Sequence, residues 1–107
     1  MATMTKKDLI HAIAKQREVH PNDVKMVIQS FLDAVTSSLV KGERLEFRDF
    51  GVFEVVERKQ KIGRNPKNAA VPIIIPARKV VKFTPGKRMR DLIEGKEVED
   101  DMEEFEE

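Results

Sequence analysis

The chain has 107 residues, room for one domain with a modest core, and it carries 20 Lys and Arg against 19 Asp and Glu. It has no cysteine, which excludes a disulfide framework and a thiolate metal site. The net charge of +1 conceals a division: residues 1–93 hold 19 basic and 10 acidic side chains, whereas residues 94–107 hold nine acids and only Lys96. A basic body with an acidic tail points to a nucleic-acid partner. The opening residues, Met1 to Lys7, lack the apolar core of a secretory signal, and with the missing cysteines this points to the cytoplasm. The longest apolar run, 69–77, is broken by Pro72 and Pro76 and is too short to span a bilayer.

Thr5, with Asp8 three residues on, is a helix-start signal. Leu9, Ile10, Ile13 and Ala14 follow at helical spacing, which predicts a helix from about Lys6 to Gln16. His20 is the next expected N-cap, with Pro21 at the first helical position and Asp23 in the first turn. Val24, Val27, Ile28, Phe31, Val35 and Leu39 form one apolar stripe, expected to be core, and Gly42 ends the helix.

The period then changes to two. Arg44–Arg48 alternates as a strand, Asp49-Phe50-Gly51 is a tight turn, and Val52–Arg58 is a second strand rich in β-branched residues. Phe47, Phe50, Phe53 and Phe83 are also expected in the core. A basic segment, Lys59 to Lys67, follows, and a return strand is predicted over Val71–Phe83. Pro72 and Pro76 cannot donate to a ladder, so this strand needs a free edge, as a projecting two-stranded ribbon provides. Thr84-Pro85 repeats the cap-then-proline pattern and predicts a short final helix with Met89, Leu92 and Ile93 on one face. The tail, 94–107, is too charged to bury and is expected to be disordered.

Every residue from Arg58 to Arg90 is basic or neutral. Arg58, Lys59, Lys61, Arg64, Lys67, Arg78, Lys79, Lys82, Lys87 and Arg90 are therefore candidate phosphate contacts, since such cations release the counterions condensed on a duplex. Phe83 is the only aromatic in the stretch, so it offers no stacking platform for single strands or RNA. In Gly63-Arg64-Asn65-Pro66, Arg64 and Asn65 suit minor-groove acceptors, and Pro66 is a rigid apolar wedge able to kink a duplex.

These motifs resemble the bacterial HU and integration host factor family. Asp49-Phe50-Gly51-Val52-Phe53-Glu54-Val55 is similar to the family's hairpin, and Gly63-Arg64-Asn65-Pro66 to its arm tip. Ile75-Pro76-Ala77, Val80, Phe83 and Pro85-Gly86-Lys87 match its return strand and final helix start. The resemblance covers residues 4–93. It implies an α+β fold in an intertwined dimer, with a helical base, a β-hairpin saddle, long β-ribbon arms (about 57–80) and a short C-terminal helix. It also implies that Pro66 intercalates, that Arg58, Lys61, Arg64 and Asn65 contact DNA from the arm, and that Lys79, Lys87 and Arg90 reach phosphates. The expected role is architectural: binding and bending double-stranded DNA in the nucleoid as a homodimer or heterodimer, with or without site preference. Four features depart from the family pattern. Asn68-Ala69 stands where the family often has Thr-Gly, and asparagine still allows a tight tip. Val56 and Ile62 stand where many members carry a basic residue. The segment between Pro66 and Pro76 is one residue longer, which predicts a bulge near Val71-Pro72, and the acidic tail is additional.

No nucleophile–base pair, phosphate-cradling glycine loop or acid pair marks an enzyme. His11 and His20 are isolated, so no metal or other cofactor is expected, nor a membrane or small-molecule substrate. A protein-interaction role for Ile73–Ile75 or the tail, and RNA binding, are the alternative readings.

Overall fold

The computed structural model describes residues 2–97. Its elements run α1 (Lys6–Arg17), α2 (Pro21–Val40), β1 (Leu45–Phe47), β2 (Gly51–Arg58), β3 (Lys61–Asn65), β4 (Asn68–Ile75), β5 (Arg78–Pro85) and α3 (Lys87–Ile93).

The helix starts form as their caps dictate. Thr5 Oγ1 accepts from Asp8 N at 3.2 Å, and Asp8 Oδ2 accepts from Thr5 N at 3.1 Å, closing a capping box. These bonds hold the Asp8 carboxyl below its ordinary value of 3.8, the bond from the Thr5 backbone contributing most. His20 Nδ1 accepts from Asn22 N at 3.0 Å, with Pro21 opening α2. Between the helices, Glu18 is forced left-handed (φ 55°) so that its N–H and that of Val19 can reach the Ala14 carbonyl.

The strands form two sheets. β1-β2-β5 is antiparallel throughout, and β3-β4 is a separate two-stranded ribbon. The β1–β2 hairpin turns through Asp49, another left-handed residue (φ 65°), with Phe50 N donating to Phe47 O at 3.0 Å. Gly51 begins β2 in a place no side chain can enter, since a Cβ would lie 2.6 Å from the Phe83 ring and 2.7 Å from the Thr84 carbonyl.

The predicted single return strand is instead two, β4 and β5, separated by Pro76 and Ala77. Proline removes a ladder donor, and Lys59 and Gln60 opposite are likewise outside the strands. The expected bulge exists: Arg64 pairs Pro72 while Asn65 pairs Asn68, so residues 69–71 are the extra length. The final helix starts later than Thr84-Pro85 suggests. Both residues remain in β5, paired with Val52 and Gly51, and Gly86 is the N-cap. Helix α3 ends in a Schellman motif: Gly95 (φ 81°) donates to Leu92 O at 3.2 Å and Lys96 to Asp91 O at 2.8 Å. Residues 98–107, most of the acidic tail, lie outside the described residues.

The core expectation needs the largest correction. Among the described residues only Ile10, Ala14 and Val24 are buried apolar side chains, with Ile28 packed against them. Val27 is 63 % exposed, Phe31 51 % and Phe50 48 %. Phe31, Phe47, Phe50, Phe53 and Phe83 do form one ring cluster, with centroids 4.6–6.5 Å apart. Nothing among the described residues covers the exposed side of Phe31, Phe50 and Phe83. The radius of gyration, 19.4 Å, also exceeds the ~13 Å of a compact domain this size, and the long axis measures 60 Å.

Candidate nucleic-acid interface

The sequence places most candidate cations on one continuous path, and the structure puts that path on the ribbon and the sheet that carries it. Arg58 closes β2, Lys59 lies in the junction, Lys61, Arg64 and Asn65 are in β3, and Lys67 is at the tip. Arg78, Lys79 and Lys82 lie in β5, and Lys87 and Arg90 in α3. All of these cations are exposed. Strand alternation separates them: Arg58, Arg78 and Lys82 share one face of the three-stranded sheet, and Lys79 lies on the other with Glu57.

The tip is built by side-chain-to-backbone bonds. Asn65 Oδ1 accepts from Lys67 N at 2.9 Å, and Asn68 Oδ1 accepts from Ala70 N at 3.1 Å. These are asparagine turns, which substitute a side-chain carbonyl for a backbone one. Arg64 Nη1 donates to the Ala69 carbonyl at 3.3 Å, bracing the bulge from the opposite strand. Between the two asparagines stands Pro66, exposed at the turn. The ring is thus held outward by the bonds of Asn65 and Asn68 rather than by packing.

Two assignments change in detail. The Asn65 side-chain oxygen is already engaged in the turn, so its amide N–H groups are what it can offer outward. Lys87 Nζ sits 2.6 Å from Asp91 Oδ2, an i,i+4 ion pair, and is therefore partly neutralised. The same pair lowers the Asp91 carboxyl below its ordinary value, the Lys87 hydrogen bond contributing most. Gly63 lies in a regular strand pair with Ile73, and a Cβ there would meet Ile75 Cδ1 at 3.4 Å, so neither a bend nor a close approach marks this glycine. Asn68-Ala69, which stand in place of the family's usual Thr-Gly, do complete a tight tip; the bond from Arg64 to the Ala69 carbonyl is the part that sequence reasoning missed.

No group of three or more metal-ligating side chains occurs among the described residues. None of their helices is long and apolar enough to cross a membrane.

Comparison with known proteins agrees with this geometry. A protein described as "Probable DNA-binding protein HU" from Chlamydia pneumoniae is 71 % identical over 94 residues, covering 88 % of this chain and 94 % of the relative. The integration host factor subunit beta of Alkalilimnicola ehrlichii is 41 % identical over 91 residues, covering 84 % of this chain and 90 % of the relative. Among solved structures, an Anabaena HU–DNA cocrystal structure matches with a TM-score of 0.75 at 32 % identity, covering 84 % of this chain and 97 % of that one. The family model for bacterial DNA-binding proteins matches residues 4–94, and with it the chain belongs to that family, which includes HU and integration host factor.

Proposed function

We propose that the chain is an architectural, nucleoid-associated DNA-binding protein, acting in the cytoplasm as a homodimer whose two arms grip the minor groove and bend the duplex. It is not an enzyme, and no catalytic or cofactor chemistry enters the account. The observation that carries the reading is the exposed Pro66 on a cationic ribbon tip built by Asn65, Asn68 and Arg64. The cations supply affinity by counterion release, with no need for base-edge contacts. The proline supplies a wedge: unstacking one step costs a few kcal/mol, offset by the protein surface that a bent duplex can touch.

Dimerisation is supported by the uncovered face. Val27 and Phe31 of the α2 stripe, with Phe50 of the ring cluster, stay exposed, and beside them a cleft of about 370 Å³ is lined by Leu39, Val40, Val55 and Val81. A second copy docking its own α2 and rings there would complete one shared core. A small chain with three buried core side chains among its described residues needs that completion. The relative at 71 % identity is described as a probable HU, and binding with little site preference is the reading adopted on that ground. The domain then comprises residues 1–93, and the acidic residues 94–107 are an appendage almost wholly beyond the family match.

The test is duplex binding by wild type and Lys61→Glu/Arg64→Glu across a salt series. The wild type binds with a steep salt dependence, prefers nicked over intact duplexes, and binds double-stranded RNA more weakly. The variant loses affinity and salt slope while remaining dimeric. Equal binding by the variant would place DNA elsewhere on the protein.

A further inference from the structure

The ionisable side chains facing one another across β2 and β5 follow a pattern with one exception. Glu54 stands opposite Lys82, and Glu57 opposite Lys79, both complementary pairs. The last rung sets Arg58 opposite Arg78. Directly opposed side chains on one sheet face have Cβ atoms about 4.5–5.5 Å apart, and like charges there are destabilising. Both arginines are exposed, and neither forms an ion pair with a carboxylate among the described residues.

The place of this rung gives the clash its meaning. Beyond it the ladder lapses, since Lys59 and Gln60 on one side and Pro76 and Ala77 on the other are outside the strands. Pairing resumes at Lys61 with Ile75, in a different sheet. The arginine rung is therefore the junction between the rigid three-stranded sheet and the arm. A guanidinium presents a planar fork of donors that matches phosphate oxygens, and two forks on one face can hold one anion between them.

We propose that Arg58 and Arg78 form a single phosphate site at the root of the arm, shared between strands, whose occupancy by a duplex phosphodiester fixes the arm against the sheet. The inference rests on the DNA-binding reading for its natural ligand, but the site itself is a property of the rung. An empty site leaves the junction loosened by repulsion; a bound phosphate converts the repulsion into a bridge.

The experiment is a double-mutant cycle with Arg58→Gln, Arg78→Gln and the double variant, which keep the exposed stems and the fold. If one phosphate is shared within each arm, each single variant loses about tenfold in duplex affinity per arm, a charge-assisted hydrogen bond's worth, so about a hundredfold for a dimer bound through both arms, and the double variant loses little more. The salt slope falls by about two units in all three variants, one for each arm's phosphate contact. A double variant whose loss is the product of the single losses, with its slope reduced by about four, would mean two independent contacts per arm and overturn the proposal. A second measurement needs no DNA. Pyrophosphate raises the Tm of the free wild type above a chloride control of equal ionic strength, and Arg78→Gln both raises the basal Tm and abolishes this response. An unchanged response in the variant refutes the site. Failure of the wild type to bind duplex DNA, with the pyrophosphate response intact, would instead refute the DNA-binding reading.

Discussion

Phe31→Ala tests the shared core most sharply. The Phe31 ring touches Phe47 within the chain, at a centroid distance of 5.6 Å, yet the residue stays 51 % exposed. An aromatic side chain presents about 200 Å² of surface, so about 100 Å² remains for a partner to cover. At ~25 cal/mol per Å² this is about 2.5 kcal/mol per chain, or about 5 kcal/mol for a symmetric pair. The dimer dissociation constant should therefore rise roughly 4,000-fold, since each ~1.4 kcal/mol is a factor of ten. The loss of the intrachain contact with Phe47 lowers stability as well, but that part does not depend on protein concentration. Sedimentation equilibrium and the concentration dependence of Tm separate the two effects. A variant as tightly dimeric as the wild type, or a wild type that is monomeric at micromolar concentration, would refute the reasoning.

Other expectations follow from single positions. Glu18→Gly should raise Tm in thermal denaturation, because the left-handed backbone at Glu18 (φ 55°) costs a side-chain-bearing residue about 1 kcal/mol that glycine avoids. The Asp8 carboxyl, lowered chiefly by the bond from the Thr5 backbone, contributes stability above its ordinary value of 3.8 and loses it as pH falls through the lowered folded value. The Tm gap between wild type and Asp8→Ala should accordingly narrow in strong acid, beyond what loss of the Thr5 contacts alone produces. Removing residues 98–107, which leaves the Schellman stop of α3 intact, should raise duplex affinity at low salt if the acidic segment competes with phosphate for the cations. Unchanged affinity at every salt concentration would leave the tail without that role.

Much of this architecture was legible in the residues because local chemistry decided it. Thr5 with Asp8, His20 with Pro21, and Gly42 each specify a helix boundary within one turn of chain, and the structure places the boundaries there. The arm tip was legible for the same reason: Asn65-Pro66-Lys67 is a local turn signal, and the Asn65 side chain closes it, while Gly63 and Arg64 continue β3. The misses involve non-local choices. Thr84-Pro85 carries a plausible helix start, but pairing with Val52 and Gly51 holds both in the sheet, and tertiary pairing overrides the cap signal. The missing proline donor marked Pro76 as a weak point of the return strand, but Pro72 shares that defect and stays within β4, so the place of the division also depends on Lys59 and Gln60 opposite, outside the strands. The phenylalanines read as core are core-forming in type, yet one chain leaves Phe31, Phe50 and Phe83 substantially exposed. Hydrophobic pattern marks a side chain as core-forming in type, not whether its own chain has the bulk to cover it. The neutralisation of Lys87 by Asp91 is likewise invisible to a count of charges, although their i,i+4 spacing on a helix permits it.

The bend angle of a duplex labelled at both ends for energy transfer, measured with wild type and Pro66→Ala, reaches the main claim most directly. A wedge standing exposed between Asn65 and Lys67 predicts that the substitution straightens the bound duplex markedly while weakening affinity only a few-fold, because the cations remain. An identical bend with wild type and variant would contradict it.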